Sequence, residues 1–224
     1  MEVRFLGQAC FTLSDGGTTV LIDPFLTGNP KAAASADEVD ATTILLTHGH
    51  ADHLGDTVPI AKRTGATVVA IVELAREIGQ HGVDVRDPNF GGTVEFDWGS
   101  VKLVPAWHTS TTPDGGVSAA AGLVVDFKGT IVYHLGDTCL FSDLQLVGKR
   151  TPIDIALIPI GGHYTMDRFE AVDAAALVGA QTVIPCHYNT FPLIEADAQA
   201  YKSDVESATS SRVVVLDPGE THST

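Results

Sequence analysis

The sequence predicts an α/β protein built as an αββα sandwich: two mixed β-sheets packed face to face, with helices on the outer faces. Three observations lead there. Strand-like segments crowd the chain before residue 46 and again from Val94 to Val132. Each of those blocks is followed by short apolar runs alternating with helical periodicity, so the order is mixed β, βαβ, β and βαβ again. With 44% apolar and 18% charged residues, 224 residues suffice to bury a substantial core, and nothing marks a boundary inside 1–224, which reads as a single domain.

Val3–Phe5, Cys10–Leu13 and Thr18–Ile22 read as strands, with the turn signal SDGG (residues 14–17) between the last two. Asp23 then leaves a strand into a loop rich in Pro and Gly, and Ile44–Leu46 is a short apolar strand. From Asp52 to Arg63, Leu54, Val58 and Ala61 recur at i, i+4 and i+7 and Gly65 follows as a stop, which predicts one helix. Ala66–Ile71 reads as a buried strand and Val72–Gly79 as a helix. After the β-rich middle come strand Ile155–Ile158, helix Phe169–Val178, strand Thr182–Ile184, helix Glu195–Ala208 and strand Val213–Leu216.

The formal charge of -15 repels polyanions, because binding to them depends on Lys and Arg displacing counterions. No basic run offsets it, so no dedicated nucleic-acid surface and no membrane-binding surface are expected. Three widely spaced cysteines, Cys10, Cys139 and Cys186, do not form a disulfide framework. The opening residues lack the pattern of a secretory signal and no apolar run reaches membrane-spanning length, so a cytoplasmic location is expected. Homo-oligomerisation is left open.

The stretch TILLTHGHADHLGDTV (residues 43–58) carries the chemistry. His48 and His50, at i and i+2 past a strand end, can point the same way, and Asp52 and His53 open the next turn. Imidazole and carboxylate suit Zn²⁺ and neighbouring transition metals. Four such groups in six residues exceed what one tetrahedral ion accepts from so short a span, so two ions, each completed from elsewhere, is the natural reading. His108 and His187 follow apolar runs in the same strand-end context, and Asp137 leaves a strand through Gly136, which permits a sharp turn. His81 reads as an exposed helix end and His222 as a frayed terminus.

These residues resemble the metallo-β-lactamase superfamily: HxHxDH at 48–53, then a single His, an Asp within a GD pair, and a final His, at intervals of 55, 29 and 50 residues. The phrases FLGQACF, DPFLTGNP, LGDTCLFSD, PIGGHYTM and PCHYNTFP are similar to small prokaryotic metal-dependent hydrolases near the L-ascorbate-6-phosphate lactonase branch. The resemblance implies a binuclear centre along one edge of the sandwich. It assigns His48, His50 and His108 to one ion, Asp52, His53 and His187 to the other, and makes Asp137 the bridge. Two divalent cations are implied as cofactors, Zn²⁺ first, with Mn²⁺ or Fe²⁺ as alternatives. The family pattern also gives Asp23 the role of supporting the histidine loop by hydrogen bonding.

Two cations at one point lower the pKa of a shared water toward neutrality. The expected activity is therefore hydrolysis of a small-molecule lactone, ester or related bond, including a phosphorylated one; the alternative is a phosphodiesterase or nuclease. A redox role is disfavoured, because di-iron oxidoreductase relatives carry Glu where His50 stands. Asp52 counts among the catalytic residues as well as the ligands. His163, which leaves a strand through two glycines, reads as proton donor or substrate contact, or else as a loop histidine capping backbone. Tyr188 reads as an oxyanion stabiliser, or as packing beneath its loop. His134, inside a strand three residues before Asp137, reads as a buried residue that either supports the ligands or packs in the core, and Arg168 and Lys31 as solvated surface.

Overall fold

A computed structural model describes residues 1–224. The first sheet contains β1 (Glu2–Gly7), β2 (Cys10–Ser14), β3 (Thr19–Ile22), β4 (Thr43–Leu45), β5 (Thr67–Val69), β6 (Val85–Arg86) and, returning from the C-terminus, β14 (Thr221–Ser223). Their spatial order is β14-β1-β2-β3-β4-β5-β6. The second contains β7 (Thr93–Phe96), β8 (Gly99–Pro105), β9 (Ala121–Phe127), β10 (Thr130–His134), β11 (Ile155–Pro159), β12 (Thr182–Cys186) and β13 (Arg212–Val213), ordered β13 to β7 without interruption. Each sheet pairs antiparallel through its early strands and parallel through its later ones, where helices make the crossovers except between β3 and β4, which a loop joins. The helices are α1 (Ala51–Leu54), α2 (Thr57–Thr64), α3 (Val72–Gly79), α4 (Leu144–Arg150), α5 (Arg168–Val178) and α6 (Ala198–Ala208). None is long and apolar enough to cross a membrane.

The αββα layering follows from strands that are apolar on both faces. In β9, Leu123, Val125 and Phe127 enter the core between the sheets, while Val124 faces the second core under α5 and α6. In β11, Ile155 and Leu157 face inward and Ala156 and Ile158 outward, so the run reads as continuously hydrophobic. Each buried Leu, Ile, Val or Phe among them contributes about 1.5–3 kcal/mol. The Asp167 and Asp197 carboxylates, which accept backbone N–H groups at the starts of α5 and α6, contribute about 1 kcal/mol each.

Several boundaries differ from expectation. The helix expected over 52–63 is two helices, broken at Gly55 and Asp56. A Cβ on Gly55 (φ 38°) would collide with the Pro24 carbonyl, and Asp56 accepts N–H groups from Leu26 and Thr27. The loop after β3 therefore packs into the break. The last helix begins at Ala198 rather than Glu195, where Asp197 caps it, and the strand expected over 213–216 is only Arg212–Val213. His222 is not frayed: it lies in β14 opposite Val3. The short elements β6, α4 and β14 carry too little periodicity to be legible, since long-range pairing and packing form them.

Candidate metal centre

Because β1, β3 and β4 run in one direction, and β8, β10 and β12 likewise share one, their C-terminal ends gather at one edge of the sandwich. Asp23 leaves β3, the 48–53 turn leaves β4, His108 follows β8, Asp137 follows β10 and His187 follows β12. At Gly136 (φ 67°) a Cβ would sit 2.7 Å from the Ala121 carbonyl oxygen, so only glycine allows the turn that presents Asp137. Gln8, Asp23 and His187 each hold left-handed backbone (φ 56°, 45° and 52°), strain of the kind that gathers at functional sites.

Ligand atoms of seven side chains converge there. Those of His48, His50 and His108 form one group, those of Asp52, His53 and His187 another, and His48, His53 and Asp137 a third between them; within each group all lie within 4.8 Å of one another. His48 Nε2 is 3.0 Å from His50 Nδ1. Asp137 Oδ2 is 3.1 Å from His187 Nε2, 3.6 Å from His108 Nε2 and 4.0 Å from His48 Nε2, and its Oδ1 is 3.3 Å from His53 Nε2. Asp52 Oδ2 stands 3.5 Å from His187 Nε2 and 3.6 Å from His53 Nε2.

These residues fit divalent cations. Around a tetrahedral ion with metal–nitrogen distances of about 2.0–2.1 Å, neighbouring donors stand roughly 3.3–3.5 Å apart, close to the spacings here. His53 Nε2, His187 Nε2 and Asp137 Oδ1 are buried without a hydrogen-bond partner, an arrangement costly unless something else binds them. Burial by itself would raise the Asp137 pKa, but His187 and His53 hold it well below the usual carboxylate range. Burial would conversely lower His53 and His187; Asp137, with Asp23 for the former and Asp52 for the latter, raises both, His187 to about 9. Carboxylates this deep require positive charge beside them, which the imidazoles supply as protons or a cation supplies directly.

A hydrogen-bonded scaffold orients the donors. Asp23, fully buried, accepts the Thr47 N–H (2.8 Å), the Thr47 hydroxyl (2.6 Å) and His53 Nδ1–H (2.7 Å). The Thr47 oxygen in turn accepts His48 Nδ1–H at 3.0 Å. Both rings thereby present Nε2 to the centre. His134 donates Nε2–H to the Ala9 carbonyl and accepts the Gly136 N–H on Nδ1, both at 3.0 Å, so it pins the Asp137 turn to the β1–β2 connection. Ser110 accepts the Gly49 N–H and ties the histidine loop to the segment after β8.

A cavity of 570 Å³ opens over the donors, lined by His50, Asp52, His108, Asp137 and His187 and walled by Phe25, Tyr164, Phe191 and Leu193. His163 is exposed and lies edge-on to Tyr164; Tyr164, not His163, lines the cavity. Tyr188 is half-buried against the second core and absent from the cavity wall, with its phenol pushed up to about 12 by burial, Cys186 and Asp217. Arg168 pairs with Asp204 away from the centre.

Residues 2–187 match the Beta-lactamase superfamily domain. The chain belongs to the beta-lactamase superfamily. The UPF0173 metal-dependent hydrolase of Pelotomaculum thermopropionicum is 46% identical over 225 residues, 98% of each chain. The UPF0173 metal-dependent hydrolase MK1542 of Methanopyrus kandleri is 46% identical over 228 residues, 99% of each. Among solved structures, Igni18, a novel metallo hydrolase from Ignicoccus hospitalis KIN4/I, superposes with a TM-score of 0.90 at 36% identity, covering 99% of this chain and 97% of that one. This member of the beta-lactamase superfamily is a metal-dependent hydrolase.

Some residues of its site escaped the sequence reading. Thr47 was hidden as one polar residue ending an apolar strand. Gln8, Phe25, Tyr164, Phe191 and Leu193 sit on four separate loops that only the tertiary fold brings together. The one available signal was adjacency, since Tyr164 follows His163 and Phe191 lies four residues past His187.

Proposed function

We propose that the chain is a single metallo-hydrolase domain that holds two divalent ions, one on His48, His50 and His108 and the other on Asp52, His53 and His187, with Asp137 shared. The substrate is a small molecule with a lactone, ester or related bond. The observation that carries this reading is the convergence of seven donors, Asp137 among them, beneath an aromatic-walled cavity. The donor chemistry favours Zn²⁺, with Mn²⁺ and Fe²⁺ compatible. When bound, such ions supply a hydroxide near neutral pH and polarise the acceptor oxygen. The protein's own part is to hold the donors rigid through Asp23, Thr47 and His134, and to place the substrate against Phe25, Tyr164, Phe191 and Leu193.

No Lys or Arg lines the cavity, which favours an uncharged lactone or ester over a phosphorylated compound. The same feature and the -15 charge weigh against the phosphodiesterase or nuclease reading. All three cysteines are unpaired, which supports a reducing, cytoplasmic setting. The test compares chelator-stripped protein with Zn²⁺- and Mn²⁺-loaded protein on lactones, simple esters and phosphodiesters. Metal-dependent turnover of lactones or esters is expected. Turnover confined to phosphodiesters, or activity indifferent to stripping, overturns the reading.

A further inference from the structure

Gln8 lies in the bulged connection between β1 and β2 and is 1% exposed, yet its backbone is left-handed at φ 56°. A long, unbranched polar side chain is an uncommon occupant of that conformation, which glycine or asparagine adopts more readily. Two contacts set this position apart. The Gln8 carbonyl accepts the His187 N–H at 2.7 Å, tying the end of β1 to the residue that leaves β12 in the other sheet. The Gln8 carboxamide Nε2 donates to Asp52 Oδ2 at 2.9 Å. That Asp52 oxygen is the one standing 3.5 Å from His187 Nε2 and 3.6 Å from His53 Nε2. With its N–H committed to Asp52, the amide leaves Oε1 buried and without a partner at the cavity wall.

One residue therefore grips two members of the same donor group from opposite sides, His187 with its backbone and Asp52 with its side chain. Asp52 needs such help more than the other ligands do, because it sits on the four-residue α1 and is the group's most exposed side chain, at 29%. Without a fixed donor its carboxylate is free to rotate toward water. Gln8 makes no hydrogen bond to His48, His50 or His108.

We propose that Gln8 is a positioning residue for the Asp52, His53 and His187 group, setting the affinity of that half of the centre while leaving the His48, His50 and His108 half alone. This rests on reading both groups as metal-holding. The two halves thus differ in their support: only the Asp52, His53 and His187 half is held by a residue of the β1–β2 connection.

The test titrates chelator-stripped full-length protein with Co²⁺ against a chromophoric chelator, and follows thermal unfolding of the same metal-free samples. Wild type is expected to take up two Co²⁺. Gln8→Ala is expected to weaken one equivalent by about 10–100-fold and leave the other within about threefold. Gln8→Asn tolerates the left-handed backbone but is one methylene too short to reach Asp52, so it should reproduce the selective loss without lowering the unfolding temperature. His108→Ala should instead weaken the other equivalent, and the double variant should weaken both. Two equivalents bound as in wild type by Gln8→Ala and Gln8→Asn would overturn the proposal. So would parallel weakening of both equivalents with a fall in unfolding temperature, the signature of a purely structural role. A wild type that takes up no Co²⁺ would sink the metal reading and the proposal with it.

Discussion

The two donor groups are built differently although Asp137 stands between them. His48, His50 and His108 are three imidazoles, neutral as ligands; Thr47 orients the His48 ring, and the His108 side chain is 13% exposed. In the other group a carboxylate joins two buried imidazoles, His53 is locked by Asp23, and Gln8 holds both Asp52 and His187. The second group thus carries more negative charge and more preorganisation. Charge complementarity and fixed ligand geometry both raise affinity for a divalent cation, so this half is expected to bind the tighter ion. The first half, held by fewer hydrogen bonds, is expected to exchange its ion faster.

The largest effect should come from the residue the halves share. Asp137→Ala is expected to reduce bound metal to near zero and hydrolysis to that of stripped protein; full activity in a metal-depleted Asp137→Ala variant would refute the two-metal mechanism. Next comes Asp23→Asn, which leaves one acceptor oxygen and puts an NH2 donor in place of the other, so that His53 Nδ1–H and Thr47 beneath His48 cannot both keep their bonds. It should cost about 10–100-fold in affinity, chiefly in the second half, as read by metal competition. An equal loss in both halves would show that Thr47 transmits as much as His53 does.

His108→Ala should remove one equivalent and spare the other, and loss of both would abolish the distinction between the halves. A pH series sharpens the same contrast. His187, raised to about 9, holds a proton below that pH which a cation must displace. Affinity of the second half should therefore climb as pH rises between about 6 and 8, measurable by the same competition at each pH. The smallest effects are expected at the two residues outside the cavity wall. His163→Ala and Tyr188→Phe should each change kcat/KM by less than about twofold, with stability within about 0.5 kcal/mol of wild type. A tenfold loss in either would restore it to the chemistry.

How much of this was legible differs residue by residue. The 48–53 turn stood out because four ligand-type side chains in six residues have no ordinary structural use. His108, Asp137 and His187 could be nominated one at a time, each by an apolar run ending in a ligand, because parallel strands deliver their ends to a common edge. His163 met the same criterion and lies outside the cavity, since a strand end sets where a residue emerges but not where its side chain points. The break at Gly55 was invisible for a related reason: the helical period continues through it, and only the approach of Pro24 forbids a continuous helix.

The sequence by itself determined the layered α/β architecture and the chemical nature of the site, because periodicity and side-chain chemistry are local properties that a linear reading captures. Tertiary structure alone decided which donors share a group, that Asp23 reaches both His53 and Thr47, and that Gln8 bridges Asp52 and His187 across 44 and 179 residues of chain. Those relations depend on the register and direction of strands in two different sheets. A hydrogen bond formed at 2.9 Å is lost within an ångström of displacement, and no pattern along the chain encodes distances that fine.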